Sequence, residues 1–279
     1  MYILNSNLKF KMSSELKEVI DLVKRAGEKV LEIYHRGTKI YKKKENFLVT
    51  EADLTSEKVI ISGLLKYGYG ILSEESKDDL SRLKKEKMWI IDPLDGTQDF
   101  LRKTGEFSIM VGLVYRKKPI LGLVYKPVDD KVYFAQKGEG AYLQETGKHL
   151  KKLKVSDISH LVDAHFVFSR SHLGHLEKRF IQNCKITRTS LVGSIGVKLG
   201  LIAEGKVDGY VTLSNKTCQW DICAPEIILE EAGGKVTNIK GEHFIYNRRQ
   251  VRNLYGIVAS NGKIHTQIIE SLNQIFKEE

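Results

Sequence analysis

The chain contains little cysteine, and it has no long apolar run. Its three cysteines, Cys184, Cys218 and Cys223, follow no metal-binding spacing, and their odd number argues against a disulfide framework. The longest apolar stretches, 109–115 and 120–125, are far too short to span a bilayer. The first twelve residues also lack the apolar run and cleavage site of a secretory signal. We therefore expect a protein of the reducing cytoplasm that has no membrane partner.

What the chain does contain is typical of a folded globular protein. Its 279 residues are 42% hydrophobic and 29% charged, which predicts one large domain or two sub-domains that share a core. Basic residues outnumber acidic ones by 45 to 35, giving a formal net charge of +10. The basic residues are spread along the chain, and the densest clusters, 42–44 and 148–154, have no interleaved aromatic residues. The charge favours an anionic ligand, and we do not expect a nucleic-acid partner.

Hydrophobic periodicity predicts an α/β fold. Helices are expected from Ser13 or Ser14 to Tyr34, ended by Gly37, and over 54–67, followed by a buried strand at 88–91. The other predicted strands are 107–115, 119–126, 132–136, 140–143, 164–169, 209–213 and 256–259, and the other helices are 173–183, 196–204, 224–232 and 263–276. The first 150 residues thus predict helices followed by an antiparallel sheet, and the rest predicts layered α/β packing. A soft boundary near residue 155 divides an α+β sub-domain, 1–155, from an α/β sub-domain, 156–279.

An acidic pair follows the strand predicted at 88–91. Asp92 and Asp95 stand three residues apart on a turn stiffened by Pro93, so both can converge on a hard divalent cation, with a carbonyl between them as a further ligand. Gly96 allows a ligand to approach the backbone, and the N–H groups of Gly96 and Thr97 would then bind a phosphate. Taken alone, the segment is equally consistent with an Asp-Gly turn that caps a helix.

Three further acidic sites accompany this pair. Glu74 and Glu75 end an apolar run, Asp53 stands at the mouth of a helix, and Asp221 stands just ahead of the helix predicted at 224. Helix capping is the competing explanation for Asp53 and for Asp221. Together these residues form a set of hard oxygen ligands with almost no histidine or cysteine among them. Such a set suits Mg²⁺ and poorly suits Zn²⁺ or copper.

The order of these motifs resembles the inositol monophosphatase superfamily of Mg²⁺-dependent, lithium-sensitive phosphatases. The resemblance runs from about Ser13 to Asn261 and implies a layered αβαβα sandwich of the inositol monophosphatase and fructose-1,6-bisphosphatase type. The segments that carry it are Glu51-Ala-Asp53, Glu74-Glu-Ser76, Asp92-Pro-Leu-Asp-Gly-Thr97, Trp220-Asp221 and Glu231-Ala-Gly-Gly234. Within the superfamily the chain is most similar to the 3′(2′),5′-bisphosphate nucleotidase branch, through segments 95–100, 105–107, 169–172, 193–198 and 220–226.

The resemblance implies which residues hold metal. Glu74, Asp92 and the Leu94 carbonyl would bind one Mg²⁺. Asp92, Asp95 and Asp221 would bind a second, and a third, looser ion could lie near Glu74.

It also implies catalytic and substrate-binding residues. Thr97, with Asp53 and Glu74, would orient the water that attacks phosphorus. The predicted substrate contacts are Asp95, Gly96, Thr97, Ser169, His172, Ser194, Lys198 and Asp221. For His172 the alternative is a helix-start histidine bonded to backbone, and for Lys198 it is a solvated surface lysine.

The implied reaction is removal of the 3′-phosphate from adenosine 3′,5′-bisphosphate. The inositol-specific branch carries a glutamate seven residues before the last metal aspartate, whereas this chain has Ser214 there. Lys198, Lys216 and the turn 169–172 offer donors for a second phosphate and a nucleoside. An inositol monophosphatase or a sugar-phosphate phosphatase is the alternative within the class, and a non-catalytic protein that binds RNA or another anion is the alternative outside it. The family also suggests a homodimer.

Overall fold

The computed structural model describes residues 12–42, 48–171 and 173–277. The helices of this part are α1 (Ser14–Arg36), α2 (Glu51–Leu64), α3 (Thr97–Leu101), α4 (His175–Asn183), α5 (Ile195–Ala203), α6 (Gln219–Glu231) and α7 (His265–Lys277). Its strands are β1 (Ile40–Lys42), β2 (Leu48–Thr50), β3 (Gly70–Ser73), β4 (Lys87–Asp95), β5 (Ser108–Tyr115), β6 (Lys118–Lys126), β7 (Lys131–Gln136), β8 (Gly140–Glu145), β9 (Lys151–Lys152), β10 (His165–Ser169), β11 (Arg188–Val192), β12 (Gly209–Thr212), β13 (Lys235–Thr237) and β14 (Ile257–Ser260). Among the described helices none is long and apolar enough to cross a bilayer.

The first helix shows how local sequence defines an element. The Ser13 side chain caps α1 by accepting a hydrogen bond from Leu16 N, and the helix ends at Gly37, whose φ is 95°. Its apolar residues recur at helical spacing and are buried against the sheet and α2. This prediction is confirmed, and α1 and α2 together form the first outer layer.

A seven-stranded sheet lies beneath this layer, in the order β3-β4-β5-β6-β7-β8-β9. All neighbours are antiparallel except β3 and β4, which run parallel. The strands that the sequence predicts in this sheet are antiparallel, as expected, and the parallel pair involves β3, which is not among the predicted strands. The chain crosses over between the two strands through residues 74–86, so both strands end at the same edge of the sheet, beside Glu74 and Asp92.

The remaining layers complete the predicted αβαβα arrangement. Helices α5 and α6 lie between the two sheets and share one core with their inner faces. The second sheet has the order β11-β10-β12-β14-β13, with β10 parallel to both of its neighbours. Helices α4 and α7 cover its outer face with a separate core. The first sheet is built from residues 70–152 and the second from 165–260, while the division into sub-domains near residue 155 stays a prediction.

Two helices, α2 and α6, begin several residues earlier than the sequence predicts, and both carry a predicted site residue. Helix α2 begins at Glu51, where Thr50 is the N-cap and the Asp53 carboxylate accepts from the Thr50 N–H. Helix α6 begins at Gln219, and the Asp221 carboxylate accepts from the Cys218 N–H. Neither aspartate is itself the N-cap residue. Each closes a reciprocal capping arrangement from the third helical position.

Candidate active site

Three carboxylates meet where the end of β4 faces the first turn of α6. One oxygen from each of Asp92, Asp95 and Asp221 lies within 4.8 Å of the other two. In a regular strand, residues three apart point to opposite faces of the sheet. The pairing of β4 with β5 shifts register between Asp92 and Asp95, and such a bulge re-aims side chains. The bulge thus allows the two aspartates of one strand to face Asp221 together.

The electrostatics of this cluster favour a bound cation. Burial raises the pKa of Asp92 well above its usual value, and the negative charges of Glu74, Asp95 and Asp221 raise it further. Burial and the charge of Asp95 raise the pKa of Asp221 to about 7. Burial also raises the pKa of Asp95, although Lys198 opposes that rise. Adjacent carboxylates out of water disfavour their own ionisation, and a divalent cation removes that penalty.

Asp95 is held in place by the start of α5. Its Oδ2 accepts hydrogen bonds from Ser194 Oγ at 2.5 Å and from Gly196 N at 2.8 Å. Ser194 is fully buried and caps the helix by accepting from Val197 N at 3.0 Å. Its hydroxyl therefore donates to Asp95 and helps to fix that carboxylate, while a direct contact of Ser194 with substrate stays a prediction. The positive end of the α5 dipole adds a favourable field for the carboxylate.

Lys198 is also fully buried. Its Nζ donates to the carbonyls of Val192 at 3.1 Å and Gly193 at 2.6 Å and lies 5.1 Å from the centre of the Tyr210 ring. Burial lowers the pKa of this ammonium to about 8, against the charge of Asp95. The alternative of a solvated surface lysine is wrong, because α5 is enclosed between the two sheets. A direct contact of Lys198 with substrate stays a prediction.

Asp53 and Thr97 come together from different elements. Thr97 Oγ1 lies 3.2 Å from Asp53 Oδ1 and 3.3 Å from the Leu94 carbonyl. The second oxygen of Asp53 accepts from Thr50 N at 2.8 Å and Thr50 Oγ1 at 2.5 Å. Burial raises the pKa of Asp53, and the Thr50 hydrogen bonds oppose this. Asp53 therefore serves both the capping of α2 and the orientation of Thr97.

Glu74, Leu94 and Gly96 surround the three aspartates. Glu74 follows β3, its N–H donates to the Ile91 carbonyl at 3.3 Å, and its charge raises the pKa of Asp92. Glu74 lies outside the three-carboxylate group. Gly96 has a φ of 94°, and a Cβ there would lie 3.0 Å from the Glu106 carbonyl oxygen. Only glycine fits this turn without strain.

Two predicted substrate contacts remain, Ser169 and His172. Ser169 ends β10, and its Oγ lies 3.4 Å from the hydroxyl of the buried Tyr210. His172 lies outside the described residues.

A charge network that was not predicted frames the loop before α5. Arg170 Nε donates to Asp99 Oδ1 at 3.1 Å, and its Nη2 pairs with the Glu106 carboxylate. That carboxylate also accepts from Gly193 N at 3.1 Å. A Cβ at Gly193 would lie 2.1 Å from Asp99 Oδ2, so this position requires glycine. In the sequence, Glu106 and Arg170 stand in the segments Gly105-Glu-Phe107 and Ser169-Arg-Ser171. Neither segment alone indicates that the two side chains form an ion pair.

Known proteins resemble this chain along most of its length. A 3′(2′),5′-bisphosphate nucleotidase CysQ of Aggregatibacter actinomycetemcomitans is 36% identical over 241 residues, covering 84% of this chain and 88% of the relative. An inositol-1-monophosphatase of Bacillus subtilis is 31% identical over 257 residues, covering 89% and 92%. The crystal structure of CysQ from Bacteroides thetaiotaomicron has a TM-score of 0.75 at 31% identity, covering 91% of this chain and 99% of that one. Fold and relatives together define the enzyme class, a phosphoric monoester hydrolase.

The family assignment agrees with the resemblance found in the motifs. The model of the inositol monophosphatase family matches residues 11–277. The chain belongs to this family.

Proposed function

We propose that the chain is a Mg²⁺-dependent phosphomonoesterase that hydrolyses adenosine 3′,5′-bisphosphate to AMP and phosphate. The observation that carries the proposal is the approach of Asp92, Asp95 and Asp221 to within 4.8 Å. Asp92 and Asp95 are buried and Asp221 is half-buried, and the mutual repulsion of three carboxylates so close together opposes folding. Their proximity is useful to a protein that binds a hard cation.

The donor set at this position fits Mg²⁺. It consists of carboxylate oxygens from Asp92, Asp95 and Asp221, with Glu74 close enough to act on Asp92, and we infer that the Leu94 carbonyl is a further ligand. These residues would hold two ions, with a third, looser one near Glu74. When bound, Mg²⁺ neutralises the phosphoryl oxygens and lowers the pKa of a coordinated water.

The chain's own side chains would orient the attacking water. The Thr97 hydroxyl proton points to Asp53 or to the Leu94 carbonyl, so its lone pairs remain available to accept a hydrogen bond from a water. Asp53 is fixed by Thr50 and cannot easily turn away. Gly96 is the N-cap of α3 and Thr97 is its first residue, and the N–H groups of both would donate to the phosphate. Phosphoryl transfer needs such positioning and charge neutralisation more than a nucleophilic side chain.

The loop at 213–218 supports the choice of substrate. Ser214 replaces the glutamate of the inositol-specific branch, and its Oγ accepts from Lys216 N at 3.2 Å, closing a turn. A site without that carboxylate lacks an acceptor for a ring hydroxyl, whereas Lys216 adds positive charge. An inositol monophosphatase remains the second candidate, because the Bacillus subtilis relative of that name covers slightly more of this chain. The cytoplasmic location and the homodimer also stay predictions.

Phosphate release tests this proposal directly. Purified protein is incubated with adenosine 3′,5′-bisphosphate, first in EDTA and then with excess Mg²⁺. We expect release only with Mg²⁺, in amounts equal to the AMP formed. Release at the same rate in EDTA contradicts the metal dependence, and no release from any phosphomonoester contradicts the activity.

A further inference from the structure

A buried arginine lies outside the catalytic motifs, in the crossover between β3 and β4. Arg82 is 1% exposed although it stands in a strongly charged stretch of sequence. Its Nε donates to both Asp78 oxygens at 3.1 Å, and its Nη2 donates to Asp78 Oδ2 at 2.7 Å. Its Nη1 donates to Asn247 Oδ1 at 3.1 Å, and Nη2 also reaches the Arg248 carbonyl at 3.0 Å. Burying a guanidinium is costly, and this one is compensated by Asp78 in the same crossover and by Asn247 and Arg248 on a distant segment.

The second of those segments, residues 245–253, we call the connector. Asn247 Nδ2 returns hydrogen bonds to the Arg82 carbonyl at 3.2 Å and the Lys85 carbonyl at 3.1 Å. The crossover and the connector are therefore joined in both directions. Asn247 has a φ of 54°, a conformation that asparagine tolerates better than most residues.

The connector also holds the start of α6. Gln219 N donates to the Val251 carbonyl at 2.9 Å, and Gln219 Nε2 lies 3.4 Å from the Arg248 carbonyl. Asn253 donates through its N–H to the Thr217 carbonyl at 2.7 Å and through Nδ2 to the Cys218 carbonyl at 2.8 Å. These bonds fix the backbone immediately before Asp221.

One atom joins the two halves of this arrangement. The Arg248 carbonyl accepts from the guanidinium of Arg82 and from the side chain of Gln219. Cys218 N then donates to Asp221 Oδ2 at 2.5 Å. A short chain of contacts thus runs from the crossover that follows Glu74 to the carboxylate of Asp221.

We propose that Arg82 is a positioning residue that holds the Asp221 turn of α6 against the end of β4. Asp92 and Asp95 belong to the first sheet, whereas Asp221 arrives on a helix, and mutual repulsion would separate them when no cation is bound. The connector, anchored by Arg82, opposes that separation and keeps the cluster ready for metal. This inference rests on the proposed function only in taking the three aspartates as metal ligands.

Metal binding to the full chain tests this role. Mn²⁺ is titrated calorimetrically into wild type, Arg82→Met, Arg82→Lys and Asn247→Gly, and the melting temperature is recorded with and without Mn²⁺. We expect Arg82→Met to bind Mn²⁺ at least about 10-fold more weakly than wild type, because substitutions of residues that position metal ligands lower metal affinity on this scale. The Mn²⁺ affinity of Arg82→Lys should fall between those of wild type and Arg82→Met, because an ammonium keeps the charge but cannot bond to both the crossover and the connector.

Asn247→Gly keeps the test decisive if Arg82→Met does not fold. Glycine accepts a φ of 54° without strain, so this variant removes the bonds to Arg82 and Lys85 while the guanidinium keeps Asp78. We expect its Mn²⁺ affinity to fall by about 3- to 10-fold. Asn247→Asp, which keeps the acceptor for Arg82, should recover part of that loss.

Leu272→Ala is the matched control for stability. Leu272 is a residue of α7 that is fully buried in the outer core, which contains none of the three aspartates or their supports. The control should unfold more easily yet bind Mn²⁺ within about 2-fold of wild type, since it leaves the ligands and their supports unchanged. Folded Asn247→Gly with wild-type Mn²⁺ affinity would overturn the proposal, as would a control that loses as much affinity as the Arg82 variants. A wild type that binds Mn²⁺ but releases no phosphate would refute the proposed function. The role of Arg82 would then still be decided by the Mn²⁺ affinities of the variants relative to wild type.

Discussion

Asp221→Asn removes one of three carboxylates that repel one another, so it should stabilise the metal-free protein while it abolishes activity. The pKa of Asp221 is raised from 3.8 to about 7 by burial and by Asp95. Ionising this group in the folded state therefore costs free energy that the unfolded chain does not pay. The full difference corresponds to at most about 4 kcal/mol at pH 8. Because Asp221 is partly exposed and shares protons with its neighbours, we expect about 1–2 kcal/mol.

The sign of the effect depends on pH in a defined way. A raised carboxyl pKa leaves stability intact below about pH 4 and removes it as pH rises toward 7. The advantage of Asp221→Asn should therefore be near zero at pH 4, grow through pH 5 and 6, and level off above pH 7. Asparagine can still accept the hydrogen bond from Cys218 N, so the capping of α6 is kept.

The assay is urea unfolding in EDTA, followed by far-UV circular dichroism from pH 4 to pH 8. Asp221→Ala is the control, because it removes the same charge and also the capping acceptor. It should be about 1 kcal/mol less stable than Asp221→Asn at every pH. Excess Mg²⁺ should stabilise the wild type through binding and leave Asp221→Asn nearly unchanged. An asparagine variant less stable than wild type at pH 8 in EDTA, or a difference independent of pH, would refute the electrostatic explanation.

Three further predictions concern the metal site and a buried histidine. Asp95→Asn should fold and lower kcat by at least ~10³, the scale of a lost electrostatic contribution to the transition state, and steady-state phosphate release that keeps more than about a tenth of the wild-type rate would contradict it. Li⁺, which resembles Mg²⁺ in size but carries half its charge, should inhibit phosphate release at concentrations where Na⁺ has no effect. His265 bridges Ser260 Oγ and Thr237 Oγ1 at 2.9 Å each, and burial lowers its pKa from 6.5 to about 4. Wild type should therefore lose up to about 3 kcal/mol relative to His265→Gln between pH 6.5 and 4 in urea unfolding, and parallel curves would contradict this.

The acidic cluster could be predicted from the sequence because its carboxylates stand at the ends of helices and strands. At those positions the hydrophobic pattern stops, and the order of the acidic motifs along the chain can be read directly. Asp92 and Asp95 follow the strand predicted at 88–91 and form the last part of the longer β4, and the parallel ends of β3 and β4 bring Glu74 to the same edge. The starts of α2 and α6 were missed for a local reason. Reciprocal capping by Asp53 and Asp221 adds a turn ahead of the apolar periodicity, and Pro225 inside α6 suggests a later start.

Burial of single polar residues could not be predicted in the same way. Helix α5 is buried on nearly all sides, so it has no polar face from which the environment of Lys198 could be inferred. Arg82 stands among lysines and acidic residues that indicate a solvated surface, yet its partner Asn247 is 165 residues away. Local pattern carries no information about such a contact, because tertiary packing alone creates it.

Substrate preference is the most direct test of the proposed function. Initial rates of phosphate release are measured side by side, with saturating Mg²⁺, on adenosine 3′,5′-bisphosphate, inositol 1-phosphate and fructose 1,6-bisphosphate. We predict that kcat/KM for the bisphosphate nucleotide exceeds that for inositol 1-phosphate by at least ~10-fold, the scale of one differential contact. Equal or reversed preference would contradict the proposed substrate and place this protein with the inositol or sugar-phosphate phosphatases.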